Sequence, residues 1–137
     1  MKKNILIVIA IFSINSIFGQ KLQLTEAATE YKNNLNPGWM MQPDQLQKSK
    51  SILTKAKTAI DASFNKQLTT PFTKSKDETK MYYYRGMIYL DYIMMAAMDE
   101  EVMANVKSIP EDELNSASLG SLKKCLELDT KGEWKNL

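Results

Sequence analysis

Histidine is absent from the 137-residue chain, cysteine occurs once, and proline and glycine are scarce at four and five residues. Without histidine there is no Ser-His-Asp triad, no imidazole general base and no usual set of ligands for a catalytic zinc. The lone Cys125 excludes an internal disulfide, a CxxC redox pair and a four-cysteine metal site. The glycines, at 19, 38, 86, 120 and 132, do not cluster into a phosphate-cradling loop. Charge of one sign is also lacking: 18 basic against 16 acidic residues leave a formal +2. With 44% apolar and 25% charged residues, the chain has the composition of one globular domain.

The first twenty residues carry that +2. Met1-Lys2-Lys3-Asn4 is a positive start, Ile5 to Phe12 is unbroken apolar, and Ser13, Asn15 and Ser16 dilute the run before Ile17-Phe18-Gly19-Gln20. This is the layout of a secretory leader, residues 1–20, with cleavage expected beside Gly19 or Gln20. Export to the periplasm or cell envelope, or secretion, follows. The large Ile17 and Phe18 near the junction leave an uncleaved anchor as the alternative. The apolar run falls short of the roughly 20 residues a membrane-spanning helix needs, so no stable span is expected after cleavage. Residues 21–137 then hold 16 basic and 16 acidic side chains. Ten basic and six acidic lie in 21–81, six and ten in 82–137, giving a +4 half and a −4 half. A neutral chain of this kind offers no footprint for nucleic acid.

Four helices are expected and no strand, because helical spacing of apolar residues recurs and no alternating run or hairpin dipeptide occurs. Leu24, Ala27, Ala28, Tyr31 and Leu35 share one face, with Thr25 as the expected cap and Asn36-Pro37-Gly38 as the stop. Trp39, Met40 and Met41 fall in the connection. The second helix is expected from about Asp44 to Phe64, with Leu46, Leu53, Ala56, Ile60 and Phe64 inward and a lysine-rich outer face. Residues 65–78 read as a loop. The third helix, from about Glu78 into the low 100s, is apolar nearly all round and is expected to be central; only Arg85 and Asp91 interrupt it between 81 and 98. Asp99-Glu100-Glu101 reads as a solvated acidic turn. Ser108-Ile109-Pro110-Glu111 has the form of a capping box opening a fourth helix that runs to about Asp129.

Lys80-Met81-Tyr82-Tyr83-Tyr84-Arg85-Gly86-Met87-Ile88-Tyr89-Leu90 resembles the first helix of a tetratricopeptide repeat, with Tyr82, Gly86 and Tyr89 at its aromatic, glycine and aromatic positions. Ser118, Leu122 and Cys125 match the small, large and small positions of the second helix. The Tyr-Tyr-x-Arg-Gly run and the Leu-Glu-Leu-Asp ending at Leu126–Asp129 resemble secreted members from Gram-negative envelopes. The resemblance covers residues 79–132 well and 24–65 loosely, and implies all-α antiparallel hairpins. Gly86 to Ser118 is 32 positions (118 − 86), about 20 more than such a repeat holds, so an insertion is expected near 98–110. Arrays of this type usually need about three repeats, so either the insertion and the aromatic third helix compensate, or the chain self-associates, or it is the front of a longer array, the reading favoured here.

The resemblance also implies a role: a non-catalytic scaffold whose groove-facing positions, here Lys80, Tyr83, Met87 and Asp91, dock a protein or peptide. The residues themselves suggest one rival, a small envelope protein that binds a metal, copper above all, or another ligand through its Met-rich helix. Met94, Met95 and Met98 lie within about one turn, and thioether clusters can hold Cu(I), though flexible methionines more often fill cores. Cys125 lies on an apolar stripe with no base to activate it and reads as structural. The acidic runs 99–101 and 111–113 do not converge as a catalytic pair. No cofactor or metal is expected. Asp91, a lone carboxylate on an apolar helix, is expected either to pair with a lysine of the second helix or to line the groove.

Overall fold

The structure, a computed structural model, describes residues 19–134. The described chain is all-α and built of antiparallel hairpins. Helix α1 occupies residues 19–34, its last turn wound as a π-helix over Glu30–Asn34. Two 3₁₀ turns, Trp39–Met41 and Pro43–Gln45, lead into α2, Leu46–Thr69. Helix α3 is Ser75–Ala96 and α4 is Glu100–Ser108. Helix α5 comprises Glu111–Asn115, a π-helical segment Ser116–Gly120, and Ser121–Leu128. No described helix is long and apolar enough to cross a membrane.

Polar contacts fix the directions. Ser63 Oγ on α2 donates to the Gln20 carbonyl at the start of described α1, so these helices run antiparallel. Tyr89 on α3 reaches Asp61, and Lys50 near the start of α2 reaches Asp99 beyond the end of α3, so α2 and α3 are antiparallel too. Arg85 meets Ser121 midway along α5, while Ser75 and Thr79 at the start of α3 share a pocket with Leu128 at the end of α5, so α5 runs antiparallel to α3. Lys21–Asp77 at one end and Tyr31–Asp91 at the other make α1 and α3 parallel neighbours.

The core forms two clusters stacked along α2 and α3. The first joins Leu24, Ala27 and Ala28 of α1 to Ala56, Ala59 and Ile60 of α2 and to Met81, Tyr84 and Ile88 of α3. The second joins Leu35 and Trp39 to Ile52 and Leu53, Tyr92, Met95 and Ala96, with Val102 from α4. Small residues in α1 and α2 let the helices approach closely, and the α3 side chains fill the space between.

Several local expectations are corrected. Thr25 caps nothing: its hydroxyl donates to the Lys21 carbonyl inside α1. The helix continues back through Gln20, whose buried side chain meets Gln67 of α2. The expected leader lies outside the described residues apart from Gly19 and Gln20. Helix α2 overruns Phe64 by more than a turn, because Gln67 is buried and its Oε1 accepts the Phe72 N–H, tying down the short link before α3. Helix α3 stops at Ala96, and the expected acidic turn is the start of α4. Asp99 is its N-cap and accepts the Val102 N–H at 3.0 Å. The expected insertion near 98–110 is therefore largely helix, anchored by Val102 in the second cluster. Ser108 is no cap either. Its hydroxyl satisfies the Asn105 carbonyl of its own helix, and Pro110 stands at the head of α5 without a side-chain cap.

The Asp99 cap yields a pH prediction. The Val102 N–H, and beyond it Lys50, hold the Asp99 carboxyl below its ordinary value. A depressed folded-state pKa contributes stability above the unfolded carboxylate range, about pH 4, which is lost as pH falls through the lower folded value. Asp99→Asn keeps an acceptor for capping but neither titrates nor attracts Lys50. The variant is expected to melt below the wild type at neutral pH, with the gap closing below about pH 4. Thermal melts at a series of pH values check this; a constant gap overturns it.

Candidate functional site

Helix α3 carries two polar stripes on nearly opposite sides, as its 3.6-residue repeat dictates. One stripe holds Lys80, Tyr83, Met87 and Asp91, all half-buried. Three of these are tied to neighbours. Tyr83 stacks on Trp134 with ring centroids 4.3 Å apart and meets Tyr84 edge-on at 5.0 Å. Lys80 Nζ lies over the Tyr84 ring. Asp91 accepts a 2.6 Å hydrogen bond from the Tyr31 hydroxyl of α1. Asp91 thus pairs with a tyrosine of α1, not with a lysine of α2. The reason is direction: α1 runs parallel beside α3 and brings Tyr31 level with it, while Lys50 and Lys57 of α2 pair with Asp99 and Asp61. Burial raises the Asp91 carboxyl above its ordinary range, partly offset by the Tyr31 hydroxyl and the Trp39 indole. The same contact and burial push the Tyr31 phenol well above its normal value.

Trp134 reaches Tyr83 because the chain after α5 folds back. Asp129 is buried, and its two carboxylate oxygens accept the backbone N–H groups of Glu133 and Trp134 at 2.9 and 2.8 Å. Gly132 turns the loop with φ of 71°, a left-handed conformation that glycine adopts without strain. A shallow pocket of about 210 Å³ opens here, with Lys76 and Thr79 on one wall and Asp129, Lys131 and Trp134 on the other.

Residues matched to the repeat pattern are distributed as follows. Gly86 sits against α5: a Cβ there would lie 2.6 Å from Leu122 Cγ and 3.0 Å from the Ser118 carbonyl oxygen. Cys125 is fully buried, and burial pushes its thiol up to about 11, so it is protonated and unreactive near neutral pH. Tyr82 packs edge-on against Phe64, and Tyr89 donates to Asp61 Oδ1 at 2.8 Å, both on α2. They lie on the side of α3 turned to the preceding hairpin. The methionines do not converge. Met95 is in the second core cluster, whereas Met94 and Met98 are exposed on the surface. A three-thioether copper site would have to pull Met95 out of the core.

The other stripe centres on Arg85, which the sequence marked as an interruption of the apolar helix and as part of the Tyr-Tyr-x-Arg-Gly run, with no site role. Its guanidinium lies 3.6 Å from the Phe64 ring centroid, and Nη1 donates to Ser121 Oγ at 3.1 Å. The residue is 6% exposed, its Nε has no hydrogen-bond partner, and among the described residues it forms no ion pair. Burial lowers its pKa. A polar residue isolated on an apolar helix was the available signal; it drew attention to Asp91 and applied equally to Arg85. Searches against family models, curated proteins and solved structures return no match to this chain.

Proposed function

We propose that the chain is an exported, non-catalytic helical-repeat scaffold of tetratricopeptide type that binds a protein or peptide segment in the cell envelope. The observation that carries this reading is the stripe Lys80, Tyr83, Met87 and Asp91 on one face of α3, beside a parallel α1. That stripe combines an aromatic platform, a thioether and both charge signs, the mixture a peptide groove uses. Helix order and direction give further support, since α1–α2 and α3–α5 are successive antiparallel hairpins whose leading helices lie side by side. The close meeting of Gly86 with Ser118 and Leu122 agrees with the repeat's spacing. Exposed Leu119 and Leu126, seven residues apart on α5, would suit a further repeat or a second copy.

The test is selection of peptides from a random display library on the full chain, followed by binding to Tyr83→Ala and Met87→Ala. Each substitution is expected to weaken the selected peptides by about tenfold or more while the helical circular dichroism is retained. Selected peptides that bind both variants as well as the wild type would overturn the groove assignment.

A further inference from the structure

The side of α3 opposite that groove holds a cleft of about 420 Å³ between α2 and α5. Arg85 and Tyr89 line it from α3, Asp61 and Leu68 from α2, and Glu113 from α5, with Ile109 at its edge. Volume in this range suits a small molecule.

A buried guanidinium is costly unless it is paired and its donors are used. Among the described residues the cation has one hydrogen bond, to a neutral hydroxyl, and the face of Phe64. Both acids that share the cleft fail to pair with it. Asp61 is already occupied: Oδ2 takes Lys57 at 2.8 Å and Oδ1 takes the Tyr89 hydroxyl at 2.8 Å. Glu113 is exposed at the rim and forms no ion pair among the described residues. The π-helical segment of α5 contributes to the arrangement. It leaves Ser121 Oγ bonded to the Ser116 carbonyl five residues back, and the same hydroxyl receives Arg85. The cleft therefore holds a built-in cation, fixed in position, with no acid of the described residues within ion-pair distance.

We propose that this cleft binds a small organic monocarboxylate with an apolar or aromatic body, its carboxylate on the Arg85 guanidinium. Guanidinium is the side chain suited to a planar carboxylate, because its N–H groups form a fixed fork. The apolar body follows from the walls, where Leu68 and Ile109 flank the aromatic rings of Phe64 and Tyr89. A single negative charge follows from Glu113, which repels a dianion such as phosphate at the rim. The site is independent of the peptide groove on the other face.

Phenylacetate titrated into the 15N-labelled full chain tests this, with phenylacetamide and inorganic phosphate as matched probes. The readout is the Arg85 Nε–H resonance. Phenylacetate is expected to shift it saturably, and phenylacetamide to bind about tenfold more weakly, the loss that follows from removing a charge-assisted bond. Glu113→Gln alters an exposed residue and is expected to strengthen phenylacetate binding, since it removes a competing anion. Equal response to the acid and the amide, or none to either up to millimolar concentration, overturns the proposal. Displacement of phenylacetate by phosphate overturns the assignment to a monocarboxylate. Because these arms vary the ligand and a surface residue, they do not depend on an Arg85 variant that folds.

Discussion

Replacement of Trp39 by alanine is expected to cost about 3–5 kcal/mol, the range for emptying a buried aromatic site. Trp39 is 1% exposed although it stands in a three-residue 3₁₀ turn between α1 and α2. It is the largest side chain of the second core cluster, where Ile52 and Leu53, Tyr92 and Met95, and Val102 come together from three helices. The indole also lies beside Asp91, whose charge it helps to hold. Removing it opens a void that three rigid helices cannot close together. Trp39→Phe keeps much of the volume and is expected to cost less than half as much. Urea denaturation followed by circular dichroism at 222 nm measures both. A cost below about 1 kcal/mol for Trp39→Ala would show that the link is not anchored in the core.

Trp39 also shows where sequence reading stops. The stripes of α1 and α2 were legible, since Leu24, Ala27, Ala28, Leu53, Ala56 and Ile60 repeat at helical spacing and all are buried. A tryptophan in a short turn has no period to read, and its burial is decided by three elements distant in sequence. Helix α4 was hidden for a related reason: a run of acids at 99–101 looks solvated, yet Glu100 and Glu101 are exposed first-turn residues while the side chain of Asp99 turns back to cap. In the candidate site, the stripe on α3 came only from the resemblance to the repeat's first helix, and its partners were not legible at all. Tyr31 and Trp134 reach Asp91 and Tyr83 only because α1 lies parallel to α3 and because Asp129 folds the chain back. Arg85 was passed over because a buried cation normally implies an acid partner, and no pattern in one sequence reports that the nearest acid is already taken by Lys57 and Tyr89.

Gly86→Ala is expected to destabilise the fold by about 2 kcal/mol, although alanine is the better helix former by about 1 kcal/mol. The two effects oppose each other, and distances decide between them. The added Cβ would stand 2.6 and 2.7 Å from Leu122 Cγ and Cδ2, and 3.0 Å from the Ser118 carbonyl oxygen. Leucine can change rotamer, but the carbonyl belongs to the backbone of the π-helical segment and moves only with α5. Leu122→Ala removes the side-chain clash, so the double variant is expected to lose at least about 0.5 kcal/mol less than the sum of the single losses. A stabilising Gly86→Ala would mean that α3 and α5 approach less closely than 2.6 Å implies. The same substitution bears on the cleft. Arg85 precedes Gly86, and its one side-chain hydrogen bond among the described residues goes to Ser121, one residue before Leu122. Displacing α5 to admit a methyl group is expected to break that bond and to shift the Arg85 Nε–H resonance before any ligand is added. A glycine that permits close helix packing would then also be the residue that positions Arg85.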